Sequence, residues 1–429
     1  MKIERNAEGW KQTLESVRRK SIARFIRRHY AEVPLIAREK EIEVTGVRPF
    51  LHRGNWCGDD ELVTVILPLK SSKAKYELTL RLKWWRFKSR WSSRSKPELI
   101  FARAHSEMRM MFRLREAMQK IQFLGSTLTP QPHGAFISTD EGDFWLPTAN
   151  QWKSIFAVDA GEAGETAQSV GIVIGDRKTI VFPHINKWNF VLSINSYTPG
   201  VDDFGAHLDR QMSRTTYEPK DEEELIKLVR IQRAILDAHP RLNEDDCAEA
   251  RVNGEEFLLS RASKLIRKHP YLSLDKGIEF FGSVLRAVRA TDYEQDGEGG
   301  AWGEFYSPNL LMSPDGRLEA TDPQTDPYFQ EHAHAGLDPG YLFGDLWCKY
   351  HESGGNPAFK KRAHRVLDLS EEIGGRRNIR VSVTRSGIPL AMSNFFLPQW
   401  VAQERLVKRW PAFKELHHMV REGYVKNDR

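Results

Sequence analysis

The sequence predicts an α+β fold in which a strand-rich region precedes a mostly helical one. Between residues 41 and 200, apolar residues alternate with polar ones or form β-branched runs, and Gly, Asp and Ser residues separate these runs. After Pro219 the apolar residues recur every three or four positions, which is the spacing of helices that bury one face. The change of pattern divides the chain into two parts of different secondary structure.

The individual elements follow from these patterns in chain order. Residues 1–40 predict one long amphipathic helix that ends near Pro34. A second helix is predicted over 101–123, with Pro97 just ahead of it and Gly125 just past its end. The predicted strands are IEVTGV, ELVTVILPL, KYELTLRLKWW, GAFIST, DFWLP, KSIFAV, VGIVIG, KTIVF and NFVLSINSY. The later helices are predicted in DEEELIKLVRIQRAIL, EEFLLSRASKLIRKH and LDKGIEFFGSVLRAVRA.

The C-terminal part carries a third pattern. Residues 376–390 (RRNIRVSVTRSGIPL) are basic and strand-like, and the sequence that follows them is helical. The predicted organisation therefore has four parts: a basic helical arm (1–40), a strand-rich lobe (41–200), a helical lobe (201–370) and a C-terminal extension (371–429).

Composition narrows the class of protein. The chain has 429 residues, 40% of them hydrophobic, which is enough for a packed core and excludes wholesale disorder. Its three cysteines have no CxxC spacing, so neither a disulfide framework nor a thiolate zinc site is expected, and we expect a cytoplasmic, reducing environment. No apolar run is long enough to predict a membrane span, and the charged N-terminal residues do not resemble a signal peptide. The net charge of +6 favours an anionic partner weakly.

Two segments concentrate positive charge. The first is 10–30, where arginines and a lysine surround an apolar helical stripe. The second is 81–96 (RLKWWRFKSRWSSRSK), which has seven basic residues, four aromatic ones and no acid. Interleaved cations and rings suit single-stranded nucleic acid, because cations follow phosphates while rings stack on bases. The alternative for the second segment is a strand followed by a solvated basic loop. On the basis of the two basic segments, one of two hypotheses is a non-enzymatic nucleic-acid-binding or assembly protein.

The other hypothesis comes from residues 302–322, which combine acids and an amide around a predicted hairpin. Glu304 precedes Asn309 by five residues, and two short apolar segments separated by Pro-Asp-Gly then lead to Asp322. A hairpin between Leu310 and Thr321 would bring Asn309 and Asp322 together at its open end. Oxygen ligands of this kind suit a magnesium–phosphate site, and a nearby carboxylate suits a general base. The alternative is an ordinary hairpin with incidental Asp and Asn residues at its turns.

This segment resembles the catalytic and metal-binding segment of atypical protein-kinase-like enzymes, which reads HGDLHxxNIL, then a hairpin, then IDP or IDF. The group includes the aminoglycoside phosphotransferases, the choline kinases and small protein kinases encoded by some phages. In the resemblance Trp302-Gly-Glu304 occupies the HGD position, and Asn309 and Asp322 occupy the two metal-binding positions. The segment 338–347 (DPGYLFGDLW) resembles the family's GDPxYDLA segment, whose Asp ties the catalytic loop to a helix. The similarity covers 274–355, under a fifth of the chain.

The resemblance implies a two-lobed kinase-like architecture and a phosphotransferase that uses ATP and Mg²⁺ to phosphorylate a hydroxyl of a protein or a small molecule. Glu304 would be the catalytic base, although it is one methylene longer than the family's Asp, and Trp302 replaces the family's His. Because such a change can displace the carboxylate, the resemblance is also compatible with a pseudokinase, which has the fold but does not catalyse phosphoryl transfer.

The resemblance also requires a strand lysine for the phosphates and a helix glutamate that orients it. Lys83 and Glu107 have the required order, with Glu116 as an alternative to Glu107. No clear glycine-rich loop precedes Lys83, and a plain surface lysine explains that position as well.

Overall fold

A computed structural model describes the following residues: 27, 42–49, 61–68, 75–86, 97–120, 127–128, 132–139, 142–146, 152–158, 169–174, 178–182, 190–198, 201–237, 244–269, 272–290, 298–324, 333–374, 378–397 and 401–423. The chain divides into two compact units, each described here by itself. The first unit comprises Met1–Ser93, Pro132–Leu146 and Asn186–Pro199. The second comprises Arg94–Gln131, Pro147–Ile185 and Gly200–Arg429.

The first unit contains a six-stranded antiparallel sheet with the strand order β1-β2-β3-β10-β5-β6. In β2 the alternating residues Val63, Val65 and Leu67 are all buried, because successive side chains of a strand point to opposite faces. The strands are β1 (Glu43–Pro49), β2 (Glu61–Pro68), β3 (Lys75–Arg86), β5 (Pro132–Thr139), β6 (Gly142–Leu146) and β10 (Phe190–Ser196).

The second unit is mostly helical and carries three small sheets. Their strand orders are β11-β13-β14-β4, β7-β8-β9 and β12-β15. The strands are β4 (Thr127–Leu128), β7 (Trp152–Val158), β8 (Ser169–Ile174), β9 (Lys178–Phe182), β11 (Asp202–Asp203), β12 (Glu298–Gly299), β13 (Leu310–Met312), β14 (Leu318–Ala320) and β15 (Ala333–His334). The helices are α1 (Pro97–Lys120), α2 (Phe204–Arg210), α3 (Pro219–Asp237), α4 (Glu244–Lys268), α5 (Leu274–Arg289), α6 (Leu337–Glu352), α7 (Pro357–Glu372), α8 (Ile379–Ser382), α9 (Ile388–Phe395) and α10 (Gln403–Glu422).

Helix α6 lies at the centre of the second unit, because every residue from Leu337 to Lys349 is buried. A helix that is buried all round has no solvent-facing side for its charged residues, so each charge needs a partner. Lys349 forms an ion pair with Asp209. Two aspartates of α6, Asp338 and Asp345, accept backbone hydrogen bonds from residues 302–307.

The prediction of a strand within residues 376–390 is wrong, because these residues are helical where described. A π-helical segment (Val383–Gly387) joins α8 to α9. This helix packs backbone to backbone against α6: a Cβ on Gly340 would lie 2.5 Å from Gly387 Cα, and one on Gly336 would lie 2.3 Å from the Ser382 carbonyl carbon. Close helix packing therefore outweighs the β-like alternation of Val and Thr residues, which is a local preference of small magnitude.

The other predicted elements that fall within the described residues agree with the structure. The predicted helix 101–123 is α1, the nine predicted strands are β1–β3 and β5–β10, and the three helices after Pro219 are α3–α5. The hairpin predicted between Leu310 and Thr321 is confirmed by the antiparallel pairing of β13 with β14. The mixed helix and strand content of the α+β prediction is thus confirmed, whereas its two-lobed kinase-like arrangement stays a prediction.

The two compact units follow different boundaries from the predicted contiguous lobes 41–200 and 201–370, since 94–131 and 147–185 belong to the second unit. Apart from Arg27, the predicted arm 1–40 lies outside the described residues. Among the helices that the structure describes, none combines the length and the apolar character needed to cross a membrane.

Candidate active site

The hairpin brings Asn309 and Asp322 together at its open end. Strands β13 and β14 pair with Leu310 opposite Ala320, and the Thr321 amide donates to the Asn309 carbonyl at 2.9 Å. The Asn309 side-chain Nδ2 lies 3.4 Å from the Asp322 carbonyl oxygen. The sequence-based expectation that these two residues are neighbours therefore matches the geometry of the hairpin.

Glu304 lies beside the same two residues. Asn309 Nδ2 lies 3.2 Å from the Glu304 carbonyl oxygen and 3.3 Å from its Oε2 atom. The second carboxylate oxygen, Oε1, accepts a hydrogen bond of 3.1 Å from Gln324 Nε2. Glu304 is partly exposed. Both carboxylate oxygens thus contact side-chain amides, and the residue is partly exposed, so a bound molecule could pass a proton to this carboxylate.

Two buried aspartates of α6 fix the backbone of this loop. Asp338 accepts from the Trp302 amide at 2.7 Å and from the Gly303 amide at 2.8 Å, one with each oxygen. Asp345 accepts from the Ser307 amide at 2.8 Å. Because bonds from backbone N–H groups to a carboxylate are about twice as strong as neutral ones, residues 302–307 are anchored at both ends. Both aspartates lie in the segment whose resemblance to GDPxYDLA implied such a tie.

The side chain and the carbonyl group of Trp302 also form hydrogen bonds that hold this loop in place. Its side chain is fully buried, and its Nε1 donates to the Thr321 carbonyl at 2.9 Å. Its own carbonyl accepts from the Gln324 amide at 2.7 Å. The loop 302–304 and the segment 321–324 are therefore joined by main-chain and side-chain hydrogen bonds, with Trp302 at the position where the family has His.

Asp322 adopts a left-handed backbone conformation with φ of 51°. Among the described residues only Asn378 is another non-glycine residue with positive φ. This conformation costs about 1 kcal/mol or more for a residue with a Cβ, although Asp tolerates it better than most. The surrounding hydrogen bonds impose it on an acid at the centre of the candidate site, where strained residues tend to occur in enzymes.

A group of aromatic and polar residues lies next to the loop. The rings of Tyr306 and Tyr341 meet edge to face with their centroids 5.1 Å apart. Asn394 donates to the Tyr341 hydroxyl, and Arg261 Nη1 donates to Asn394 Oδ1 at 3.2 Å. Burial, together with the nearby Tyr306 and Glu304, raises the pKa of Tyr341 well above its usual value. Tyr341 is therefore a neutral phenol at physiological pH.

The donor set around Asn309 fits a magnesium ion bound to phosphates. Because Nδ2 faces Glu304 and the Asp322 carbonyl, the amide oxygen Oδ1 is turned away from them, and no donor to it is found among the described residues. The structure contains no group of three or more His, Cys, Asp or Glu residues able to hold a metal within its described ranges. Mg²⁺ usually takes only one or two protein ligands and completes its shell with phosphates and water, so Asn309 Oδ1 and the Asp322 carboxylate would be enough ligands in number.

Lys83 and Glu107, the residues predicted to contact the nucleotide, belong to different units. Lys83 lies on β3 of the first unit and is partly exposed. Glu107 lies on α1 of the second unit and is 1% exposed, whereas the alternative Glu116 on the same helix is exposed. Their role in nucleotide binding stays a prediction. The basic segment 10–30 is described only at Arg27, and 81–96 only through Arg86, so the nucleic-acid hypothesis also stays a prediction.

A cavity of about 780 Å³ lies at the other end of the hairpin. Its lining includes the turn residues Pro314 and Asp315 and, from the helices, His207 and Glu224. His207 Nε2 and Glu224 Oε1 are 3.0 Å apart, and Glu224 also faces Arg362 at 3.8 Å. Because none of the three candidate site residues lines this cavity, it is separate from the site at the open end.

Sequence reasoning did not find Gln324, Asn394 or Arg261. Each contacts residues far away in the chain: Gln324 is 20 positions from Glu304, and Arg261 is 133 positions from Asn394. A single sequence carries no local signal for such contacts. Only Gln324 has a local signal in the sequence, because it lies two residues after Asp322, a predicted metal ligand.

No protein-family model matches the chain, and no curated protein matches it. Solved structures are similar to it at low identity. A glucosamine kinase in complex with glucosamine, ADP and inorganic phosphate is 12% identical over 89% of this chain and 82% of that one, with a TM-score of 0.48. A choline kinase from Streptococcus pneumoniae is 9% identical over 93% of this chain and 99% of that one, with a TM-score of 0.38. An aminoglycoside-3'-phosphotransferase of type VIII is 11% identical over 87% and 93%, with a TM-score of 0.29.

All three of these similar structures are kinases or phosphotransferases. Each TM-score lies below 0.5, and for this reason the activity and substrates of those proteins are not transferred to this chain.

Proposed function

We propose that this protein is a phosphotransferase that moves the γ-phosphoryl group of ATP to a hydroxyl group of a protein or a small molecule. The observation that carries the proposal is the meeting of Glu304, Asn309 and Asp322 at the open end of one hairpin, within hydrogen-bonding distance through the Asn309 amide. An acid, an amide oxygen and a second acid are the groups that phosphoryl transfer requires from this part of an enzyme.

The roles follow from the chemistry of each group. The acceptor oxygen forms a bond to the γ-phosphorus while the bond from that phosphorus to the oxygen of ADP breaks, and the hydroxyl proton passes to Glu304. The products are ADP and a phosphate ester, and Glu304 returns its proton to solvent. Asn309 and Asp322 would hold Mg²⁺, which supplies neutralisation of the phosphate charge when bound. Asp338 and Asp345 keep the backbone of the Glu304 loop in place.

The test is magnesium-dependent conversion of ATP to ADP with a panel of hydroxyl-bearing sugars, amino alcohols and protein serines. Wild type is compared with Asp322→Asn and Glu304→Gln, and the matched control is Asp315→Asn, an exposed acid at the turn of the same hairpin. We expect turnover in wild type and in the control, and a loss of about a hundredfold or more in each site variant, since removed catalytic acid–base groups cost about 10²–10⁴. Equal turnover in all four proteins would refute the proposal.

A second candidate is a nucleotide-binding pseudokinase. The specific observation that favours it is Glu304 at the position of the family's Asp, because the additional methylene places the carboxylate differently by about 1 Å, which costs about a hundredfold in rate. Magnesium-dependent binding of ATP without turnover of any acceptor would select this candidate, and absence of both binding and turnover would exclude the two together.

A further inference from the structure

The carboxylate of Glu304 is fixed by a residue outside its own loop. Of its two oxygens, Oε2 faces Asn309 Nδ2 at 3.3 Å, and Oε1 accepts from Gln324 Nε2 at 3.1 Å. The 3.3 Å contact is long for an N–H···O hydrogen bond, whereas 3.1 Å is within the usual range. Of these two amide contacts, the one from Gln324 is therefore the shorter.

The backbone of Gln324 is itself held in place by its neighbours. Its backbone amide donates to the Trp302 carbonyl at 2.7 Å, and Trp302 is fully buried and bound to Asp338 and Thr321. The residue before it, Pro323, is buried and has a fixed φ. The amide of Gln324 thus starts from a backbone position that is tied to the same loop that carries Glu304.

A glutamate needs such a support more than an aspartate does. Its side chain has one more rotatable bond, so fixing its carboxylate costs more conformational entropy, and loss of a contact allows a larger displacement. An aspartate at position 304 would be shorter by about 1.5 Å, the length of one C–C bond, and could not reach the Gln324 amide with the same backbone. Position 304 therefore carries the longer acid, and position 324 carries an amide that only this longer acid can reach.

We propose that Gln324 is a positioning residue for Glu304, and that the pair Glu304–Gln324 replaces the shorter acid of related loops. The consequence for catalysis rests on the proposed function, whereas the contact itself does not. The amide stabilises the ionised carboxylate and directs it, while Gln324 need not touch nucleotide or acceptor.

The experiment compares wild type, Gln324→Met and Gln324→Glu in the full chain. Met has nearly the same length but no donor, and Glu has the same shape with an acceptor in place of the donor. The matched control is Gln403→Met, the same change at an exposed position at the start of α10. Two properties are measured. The first is kcat and KM for ATP, and the second is the NMR shift of the Gln324 side-chain amide in wild type and in Glu304→Ala, with that amide assigned by its loss in Gln324→Met.

We expect Gln324→Met to lower kcat about tenfold with KM for ATP changed less than about twofold, because misplacement of the acid by a fraction of an ångström affects chemistry rather than nucleotide binding. The resonances of the Gln324 side-chain amide should shift in Glu304→Ala, since their hydrogen-bond acceptor is lost, and stay in place in Asp315→Asn. Gln324→Glu should lower kcat further than Gln324→Met, since two like charges push the Glu304 carboxylate out of position. In a Glu304→Asp background, Gln324→Met should have no further effect on kcat.

The outcomes separate the two proposals. A shift of the Gln324 side-chain amide in Glu304→Ala, in a protein that turns over no acceptor, would support the positioning contact and refute phosphoryl transfer. Turnover with kcat unchanged in both Gln324 variants, together with an unchanged Gln324 side-chain amide shift in Glu304→Ala, would overturn the positioning role and leave the proposed function intact. A kcat decrease accompanied by the same decrease in Gln403→Met would overturn it as well.

Discussion

The anchor formed by Asp338 leads to a quantitative prediction for the Asp338→Asn variant. The carboxylate accepts two hydrogen bonds from backbone amides, of 2.7 and 2.8 Å, at a fully buried position. A hydrogen bond to a charged group contributes about 1.5–3 kcal/mol and a neutral one about 1 kcal/mol. Asn keeps one neutral acceptor and turns its NH₂ group toward the second backbone N–H. The free energy of unfolding should therefore fall by about 2–5 kcal/mol, a large share of the roughly 5–15 kcal/mol of a typical protein.

The assay is urea unfolding of the full chain together with amide hydrogen exchange of the peptide that contains Trp302 and Gly303. The control is Asp275→Asn, an exposed acid in the first turn of α5, for which we expect a change below about 0.5 kcal/mol. Exchange at Trp302 and Gly303 should become faster in Asp338→Asn and stay the same in the control. A decrease in unfolding free energy below about 1 kcal/mol with unchanged exchange would refute the reasoning.

Three further predictions concern buried residues of the second unit. Trp302→Phe removes the 2.9 Å hydrogen bond to Thr321 and part of a fully buried ring, so we expect a loss of about 2–4 kcal/mol in urea unfolding; no loss would contradict the assigned burial. Gly340→Ala places a Cβ 2.5 Å from Gly387 Cα and should therefore lower the free energy of unfolding by about 1–3 kcal/mol. In the control Gly282→Ala, the new Cβ contacts only Arg286 Nη1 at 3.6 Å, and the better helix propensity of Ala should stabilise α5 by up to about 1 kcal/mol. Equal effects of the two glycine substitutions would exclude the close helix contact. His269 stacks on Trp410 with centroids 5.1 Å apart, and burial lowers its pKa to about 4. The unfolded chain therefore binds a proton to this histidine more readily than the folded chain does. The contribution of His269 to the free energy of unfolding is fully present above about pH 6.5, and it decreases by about 1.4 kcal/mol per pH unit as the pH falls toward 4. His269→Phe should flatten this part of the pH–stability curve and the exposed His418→Gln should not; an unchanged slope in His269→Phe would refute the assignment.

The parts of the site that are local in sequence could be predicted from it. The apolar runs on either side of Pro314-Asp-Gly predict the hairpin, and a hairpin necessarily brings Asn309 and Asp322 together. The tie between Asp338 and the 302–304 loop was implied only by resemblance, because no spacing rule relates residues 35 or 36 positions apart.

The remaining parts depend on packing that a single sequence does not reveal. Residues 378–390 alternate as a strand would, yet they form a helix because Gly336 and Gly340 admit its backbone at a distance that no side chain at these positions would allow. Gln324 was missed because its contact with Glu304 requires both the hairpin and the left-handed turn at Asp322. Local propensities are worth tenths of a kcal/mol per residue and do not determine such contacts.

We propose that Asn309 and Asp322 hold Mg²⁺ against the phosphates of ATP. The most direct measurement is the dissociation constant of ATP by calorimetry, with and without Mg²⁺, for wild type and for Asp322→Asn. We expect Mg²⁺ to tighten ATP binding by about tenfold or more in wild type, and Asp322→Asn to remove most of that gain, since about 1.4 kcal/mol of metal-mediated interaction corresponds to a factor of ten. Equal ATP affinity with and without Mg²⁺ in wild type, or an equal gain from Mg²⁺ in both proteins, would contradict the claim.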